Sequence, residues 1–335
     1  GGNSMREKIA GALYGMALGD AMGMPAELWG RKRVKAFFGR IEGFLDGPAE
    51  NDVAFNYKKG QFTDDTGQAL VLLDSIESTD YEPDTRDIAL RMLAWAEKEN
   101  AFENNILGPT SKVALANFRD NIQDSRITDK ALSNGSAMRI APIGCLFRPE
   151  QKEDIARYVY LVSRATHTSD VTIAGAAMIA EAVSSAIVKD DFEKVMEDVF
   201  GIEEIGYGMG CETFSPRLGE RLRIGLDIAG SYKGDDEGFI HKLYDVVGTG
   251  VGIIESVPAA LSVAYYAQDP NLSCLLCANM AGDTDTIGAM ATAVCGAFTG
   301  MGRIKPEYIR TLRQQNDADF DHYIRILEKG RERFA

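Results

Sequence analysis

Apolar residues recur at three- and four-residue steps through most of this chain, and they almost never alternate with period two between turn residues. The pattern runs through Met5–Leu18, Thr66–Ile76, Arg86–Lys98, Asp154–Ala165, Val171–Val188, Glu220–Ala229 and Tyr308–Glu328. Such spacing gives a helix one apolar stripe and leaves a sheet nothing to build on. Two further runs, Val257–Ala267 and Ile287–Phe298, are apolar all round, as helices in the middle of a bundle are. The expected fold is all-α: a compact orthogonal multi-helix bundle of about a dozen helices. Glycine-rich connections are read at Gly19–Gly23, Gly43–Gly60, Gly201–Gly210 and Gly248–Gly252, and long loops at Phe44–Phe62 and Ile202–Pro216. No linker or repeat divides the chain, so residues 5–335 read as one domain. Residues 1–4 read as an expression-tag remnant.

The formal net charge of -14 excludes a nucleic-acid-binding role, which needs clustered lysine and arginine. An acidic balance is the ordinary state of a solvated surface, but it also fits carboxylates gathered around a cation. The five cysteines are odd in number and irregularly spaced, which points to a reducing compartment. Cys274 and Cys277 form a C-x-x-C inside an apolar run with no second pair nearby, and are read as buried thiols. The apolar stretches are read as shorter than the roughly 18 residues of a membrane span. A cytoplasmic protein without membrane or nucleic-acid partners is the expectation. Oligomeric state is not readable from apolar helices alone.

Two short segments concentrate hard-cation ligands: Thr63-Asp64-Asp65-Thr66 and Gly282-Asp283-Thr284-Asp285-Thr286, each just before a helix. Threonine and aspartate at a helix start cap free amides and suit the helix dipole. One capping residue suffices for that, and here two carboxylates and two hydroxyls occur twice. If the segments meet, about four carboxylates share a small volume, where they repel unless a cation neutralises them. Oxygen-only ligands without His or Cys select magnesium, calcium or manganese over zinc. Two dications bridged by carboxylates is one solution.

These two segments resemble the paired metal motifs of the ADP-ribosylglycohydrolase family. The run Gly11–Gly23 with Pro25-Ala26-Glu27 looks like the family's first helix and turn. Ser133-Asn134-Gly135-Ser136-Ala137-Met138-Arg139 with Ala141-Pro142 is similar to its central motif, and Thr166-His167 with Gly175-Ala176 to the next. The resemblance implies a hydrolase holding two Mg2+ ions (or Mn2+). Thr63, Asp64 and Asp65 would hold one ion, and Asp283, Asp285 and Thr286 would complete the pair, with Asp285 or Asp283 spanning both. Glu27 and Asp65 would serve catalysis by holding or activating water. Asn134, Gly135, Ser136, Met138, Gly108 and Thr110 would line the substrate pocket, and His167 would hydrogen-bond the substrate. Taken alone, Glu27 reads as a surface carboxylate, His167 as a structural donor and Asn134-Gly135 as a turn. Arg139 is placed outside the site, as an arginine paired with a carboxylate.

Two departures bear on substrate. Family members that cleave ADP-ribose usually carry a stacking aromatic where this chain has Gly252, for which Tyr207 or Phe214 would have to substitute. The segment Ile106–Thr110 lacks an aspartate found in some members that act on proteins. Three readings stay open: hydrolysis of an ADP-ribosyl linkage on a protein or small molecule, hydrolysis of a smaller N-riboside, or a non-catalytic ADP-ribose-binding relative.

Overall fold

The computed structural model describes the backbone of residues 2–104 and 106–335. It is built of α-helices α1 (Gly2–Gly23), α2 (Arg31–Phe38), α3 (Asp64–Ser78), α4 (Thr85–Lys98), α5 (Pro109–Arg119), α6 (Arg126–Asp129), α7 (Lys152–Ser163) and α8 (Asp170–Val188). These are followed by α9 (Phe192–Tyr207), α10 (Leu218–Ser231), α11 (Asp236–Val246), α12 (Ile253–Ala267), α13 (Pro270–Asn279), α14 (Thr284–Thr299), α15 (Pro306–Gln315) and α16 (Phe320–Phe334). Among the described residues there is no strand, only isolated bridges such as Trp29 with Gly282. The all-α expectation holds. The helices exceed a dozen because short ones such as α2 and α6, with eight and four residues, are too brief for a periodic pattern to show in the sequence.

The centre is the pair α1 and α14, both buried along most of their length and running antiparallel. Gly11, Gly15, Gly19 and Gly23 recur every four residues on one face of α1. They meet Gly296, Thr292, Gly288 and Thr284 of α14 in that order, and a Cβ on any of the four glycines would collide with a carbonyl oxygen of the partner helix. Only glycine lets two helix backbones approach so closely. The reading of Gly19–Gly23 as a connection is therefore corrected: the glycines are a packing face, and α1 runs on through Gly23. The same correction applies at Gly201–Gly210. Helix α9 continues to Tyr207, and Gly206 lies where a Cβ would come within 2.6 Å of the Ala174 backbone in α8.

Helix α8, with 19 residues, is long and apolar enough to cross a membrane by length and composition, contrary to the sequence reading. It is 94% buried inside the fold, and the acid in its middle, Glu181, meets Lys152 at 2.9 Å. It is a core helix. Tyr308–Glu328 is two helices rather than one. Asn316 leaves the helix to accept from Phe62 N–H at 3.0 Å and donate to Gly60 C=O at 2.8 Å, and Asp319 then caps α16. That break anchors the loop that delivers Thr63. Cys274 and Cys277 are buried free thiols, as read.

The close α1–α14 contact makes a direct prediction. Gly19→Ala should overpack the interface and cost roughly 1–3 kcal/mol or more. Gly30→Ala, where a Cβ meets nothing and φ is −74°, should change little. Urea unfolding of both variants beside wild type checks this, and equal midpoints for the two would contradict it.

Candidate metal centre

The α1–α14 contact brings Asp20, one residue past Gly19, beside Asp285, three residues before Gly288. Helix α3 then docks its N-terminus onto Asp20. The Asp20 carboxylate accepts from the Thr63 and Thr66 amides at 3.0 and 3.1 Å and from both threonine hydroxyls at 2.7 Å. The acid that caps α3 is thus supplied by α1, and Thr63 does not cap its own helix. Nor does Asp283 cap α14. The capping explanation fails for both residues: the Thr63 hydroxyl turns to Asp20 and Asp285, and the Asp283 carboxylate accepts from Asn134.

The clusters meet directly. Thr286 Oγ1 donates to Asp65 Oδ2 at 2.6 Å, and Thr63 Oγ1 lies 3.0 Å from Asp285 Oδ2. Asn134 donates from Nδ2 to Asp283 Oδ2 at 2.7 Å and to Ser256 Oγ at 3.0 Å. The turn into α14 passes through two left-handed residues, Ala281 (φ 73°) and Gly282 (φ 83°), which aim Asp283 and Asp285 at α3. Glu27 is brought in by the short turn Met24–Ala26. Asn51 holds that turn by donating to the Pro25 and Glu27 carbonyls at 3.2 and 3.0 Å.

Two sets of three carboxylates place oxygens within 4.8 Å of one another: Asp20, Asp65 and Asp285, and Glu27, Asp283 and Asp285. Asp285 belongs to both. Its Oδ1 is buried without a hydrogen-bond partner. An orphaned carboxylate oxygen among carboxylates, with oxygen donors only, is what a hard dication would satisfy.

Burial is the leading cause that raises the pKa of every one of these acids. Asp20 is pushed up to about 6 and Asp64 to about 7. For Glu27, Asp65 and Asp285 neighbouring charges add to burial, and all three lie well above their usual values; Asp283 is raised too. Tyr57 is likewise raised, by burial first and then by Asp64 and Glu27.

Above the acids lies a cleft of about 150 Å³. Glu27, Asp64, Asp65, Asp283 and Thr286 form its floor, and Gly108, Ser111, Ser133, Asn134, Gly135 and Met138 one wall. Leu28, Val53, Ile106, Leu107, Pro109 and Val251 form an apolar rim. The sequence reading thus placed Asn134, Gly135, Met138 and Gly108 on a wall the structure brings to the acids. Three of its residues lie elsewhere. Ser136 is fully buried and donates to the Thr172 carbonyl at 2.9 Å. Thr110 stands behind the wall on Ser133, 2.7 Å away. His167 is fully buried behind Gly135 and Ser133, so its ring does not line the cleft. Arg139 also differs from expectation, binding Gln68 and Thr166 with no carboxylate in ion-pairing distance among the described residues.

Sequence reasoning missed Asp20, Ser111 and Ser133. Asp20 had a signal, as the one acid inside the apolar run from Ile9 to Ala26.

A profile of the ADP-ribosylglycohydrolase family matches residues 2–333. The chain belongs to the ADP-ribosylglycohydrolase family. Members with a similar sequence include YegU of Escherichia coli K12, an uncharacterised protein 44% identical over 97% of this chain and 98% of its own. ADP-ribosylarginine hydrolase Tri1 of Pseudomonas putida GB-1 is 26% identical over 90% of this chain and 73% of Tri1. ADP-ribosylhydrolase ARH3 of Mus musculus is 24% identical over 93% and 89%. The fold matches a solved structure titled an ADP-ribosylglycohydrolase-related protein complex, with a TM-score of 0.70, 22% identity and coverage of 98% and 99%. Within this glycohydrolase-family fold, neither proposed aromatic substitute reaches the cleft. The Tyr207 hydroxyl accepts from Leu218 N–H at 2.9 Å under the Arg217 guanidinium, and Phe214 is fully exposed.

The raised acids fix the sign of a pH effect. A carboxylate whose folded pKa lies above its unfolded value stabilises the protein at low pH, and that stability is lost as pH rises through the folded pKa. In chelator, the thermal midpoint should therefore fall as pH rises through about 6 and 7, the values reached by Asp20 and Asp64. Magnesium or manganese should reverse most of that fall. Calorimetric melts with and without metal measure this, and a chelated protein that grows more stable over that range would contradict it.

Proposed function

We propose that this chain is a divalent-metal-dependent hydrolase that cleaves the glycosidic bond at the ribose C1′ of an ADP-ribosyl group. The observation that carries the reading is the shared position of Asp285 between two carboxylate triads, with one oxygen left unpartnered. Asp20, Thr63, Asp65 and Asp285 would hold one magnesium-type ion, and Glu27, Asp283, Asp285 and Thr286 the second, with Asp64 alongside. Bound dications supply positive charge that lets these acids ionise together, and they lower the pKa of a coordinated water.

The residues of the chain supply the rest. Positive charge develops on the ribose ring as the C1′ bond breaks, and a floor of carboxylates favours it. Glu27 and Asp65 face the cleft from that floor and can take the proton of an attacking water. Asn134 donates to Asp283 through its side-chain amide and itself lines the cleft. The apolar rim, Leu28, Val53 and Val251 among it, limits the water that reaches the sugar.

A second reading, hydrolysis of a smaller N-riboside, is favoured by the cleft itself. Drug-sized ligands occupy pockets of roughly 300 Å³ or more. The cleft here is about 150 Å³, and among the described residues no aromatic or cationic side chain lines it.

Asp285→Asn and Asp64→Asn should each lower turnover by about a thousandfold, with no loss of helical signal by circular dichroism. An assay of ADP-ribosylated arginine peptide beside a panel of free nucleosides, with and without magnesium, checks the reaction. Metal-dependent cleavage of the peptide supports the first reading, and cleavage of nucleosides alone transfers it to the second. Wild-type rates in chelator would overturn both.

A further inference from the structure

A buried guanidinium without a carboxylate partner needs an explanation, because burying an unpaired charge is costly. Arg139 is fully buried, with Nη1 donating to Gln68 Oε1 at 2.8 Å and Nη2 to Thr166 Oγ1 at 2.5 Å. Thr166 Oγ1 lies 2.7 Å from His167 Nδ1. On the other side of the ring, His167 Nε2 lies 3.3 Å from Ser133 Oγ, which in turn is 2.7 Å from Thr110 Oγ1. One unbroken chain of polar contacts thus runs from Arg139 to Ser133, and Ser133 lines the cleft.

The direction of the protons along it can be worked out. Arginine only donates, so Thr166 Oγ1 must accept from Arg139. The threonine proton then has two places to go, the Ser163 carbonyl at 3.4 Å or His167 Nδ1 at 2.7 Å. The Ser163 carbonyl already accepts the Thr166 and His167 amides at 3.0 and 2.9 Å, which fills its two lone pairs. The proton goes to Nδ1. Burial first, and the Arg139 charge second, hold the His167 pKa well below the usual value, so the ring is neutral. A neutral ring accepting at Nδ1 carries its proton on Nε2 and donates to Ser133. Gly135 keeps the ring in place, since a Cβ there would come within 2.7 Å of His167 Cε1.

We propose that Arg139 is a positioning residue: through Thr166 it fixes His167 as the Nε2–H tautomer, and so makes Ser133 a hydrogen-bond donor towards the cleft. Occupied by the histidine as an acceptor, the Ser133 hydroxyl turns its proton to Thr110 or to an oxygen of the bound ligand. The ligand group it suits is an acceptor, a ribose hydroxyl or phosphoryl oxygen, at a wall that has no cationic side chain. That last step rests on reading the cleft as the substrate site; the tautomer does not.

The test uses the chain's three histidines, which give three imidazole spin systems in 15N-detected long-range correlation spectra. His241 and His322 are partly exposed, and His167→Gln identifies the third set by its loss. In wild type the His167 proton should sit on Nε2 at every pH where the fold persists. Thr166→Val should abolish this single tautomer and Thr166→Ser restore it, with Arg139→Gln acting as Thr166→Val does wherever it folds. A wild-type Nδ1–H ring, a charged ring, or a tautomer indifferent to Thr166→Val would overturn the proposal. With a cleaved substrate in hand, Thr166→Val and Ser133→Ala should each raise KM about fivefold to tenfold, and the double variant should be no worse than either single one. Additive losses would break the link from Thr166 to Ser133 while leaving the tautomer result to stand or fall separately.

Discussion

The site exists because two helix backbones touch. With Gly11, Gly15, Gly19 and Gly23 against α14, helix α1 comes close enough for Asp20 to reach Asp285, residues from opposite ends of the chain. Any side chain on that face would move the helices apart by a large fraction of a carboxylate's reach. Asp20 then converts the contact into an anchor for α3, by accepting its first free amides. Asp64 and Asp65 therefore arrive at α14 without a covalent or sheet connection. The packing comes first and the chemistry is built on it.

That arrangement works against the fold's own stability. Six acids are held together with burial raising each, and Arg139, the one fully buried arginine or lysine among the described residues, is engaged with neutral partners instead of neutralising them. The rest of the molecule must offset this cost through its apolar core, of which α8 and α14 are the most completely buried α-helices. The proposed cations would offset this cost, which is the usual exchange of stability for function at active sites.

How much of this could be read from the sequence depended on the range of the signal. Helical periodicity is local, and the long amphipathic helices were legible for that reason. The paired clusters were legible because an excess of acid over capping need is visible in five residues. Glycine was not, because Gly19–Gly23 and Gly201–Gly210 look like connections when the partner backbone that demands them is far away in the chain. Asn316 broke a periodic helix for a tertiary reason, its bonds to Gly60 and Phe62. His167 carried a motif resemblance but not its depth: the motif could place it near the cleft, while only coordinates put Ser133 and Gly135 between the ring and the cavity.

The central claim is that distant acidic segments share two cations through Asp285. Anomalous diffraction from crystals grown with manganese tests it most directly. Two peaks on either side of the Asp285 carboxylate, one reached by Asp65 and the other by Asp283, is the predicted result. No peak at these carboxylates in fully manganese-loaded crystals, or a single ion that leaves Asp285 uncoordinated, would contradict it.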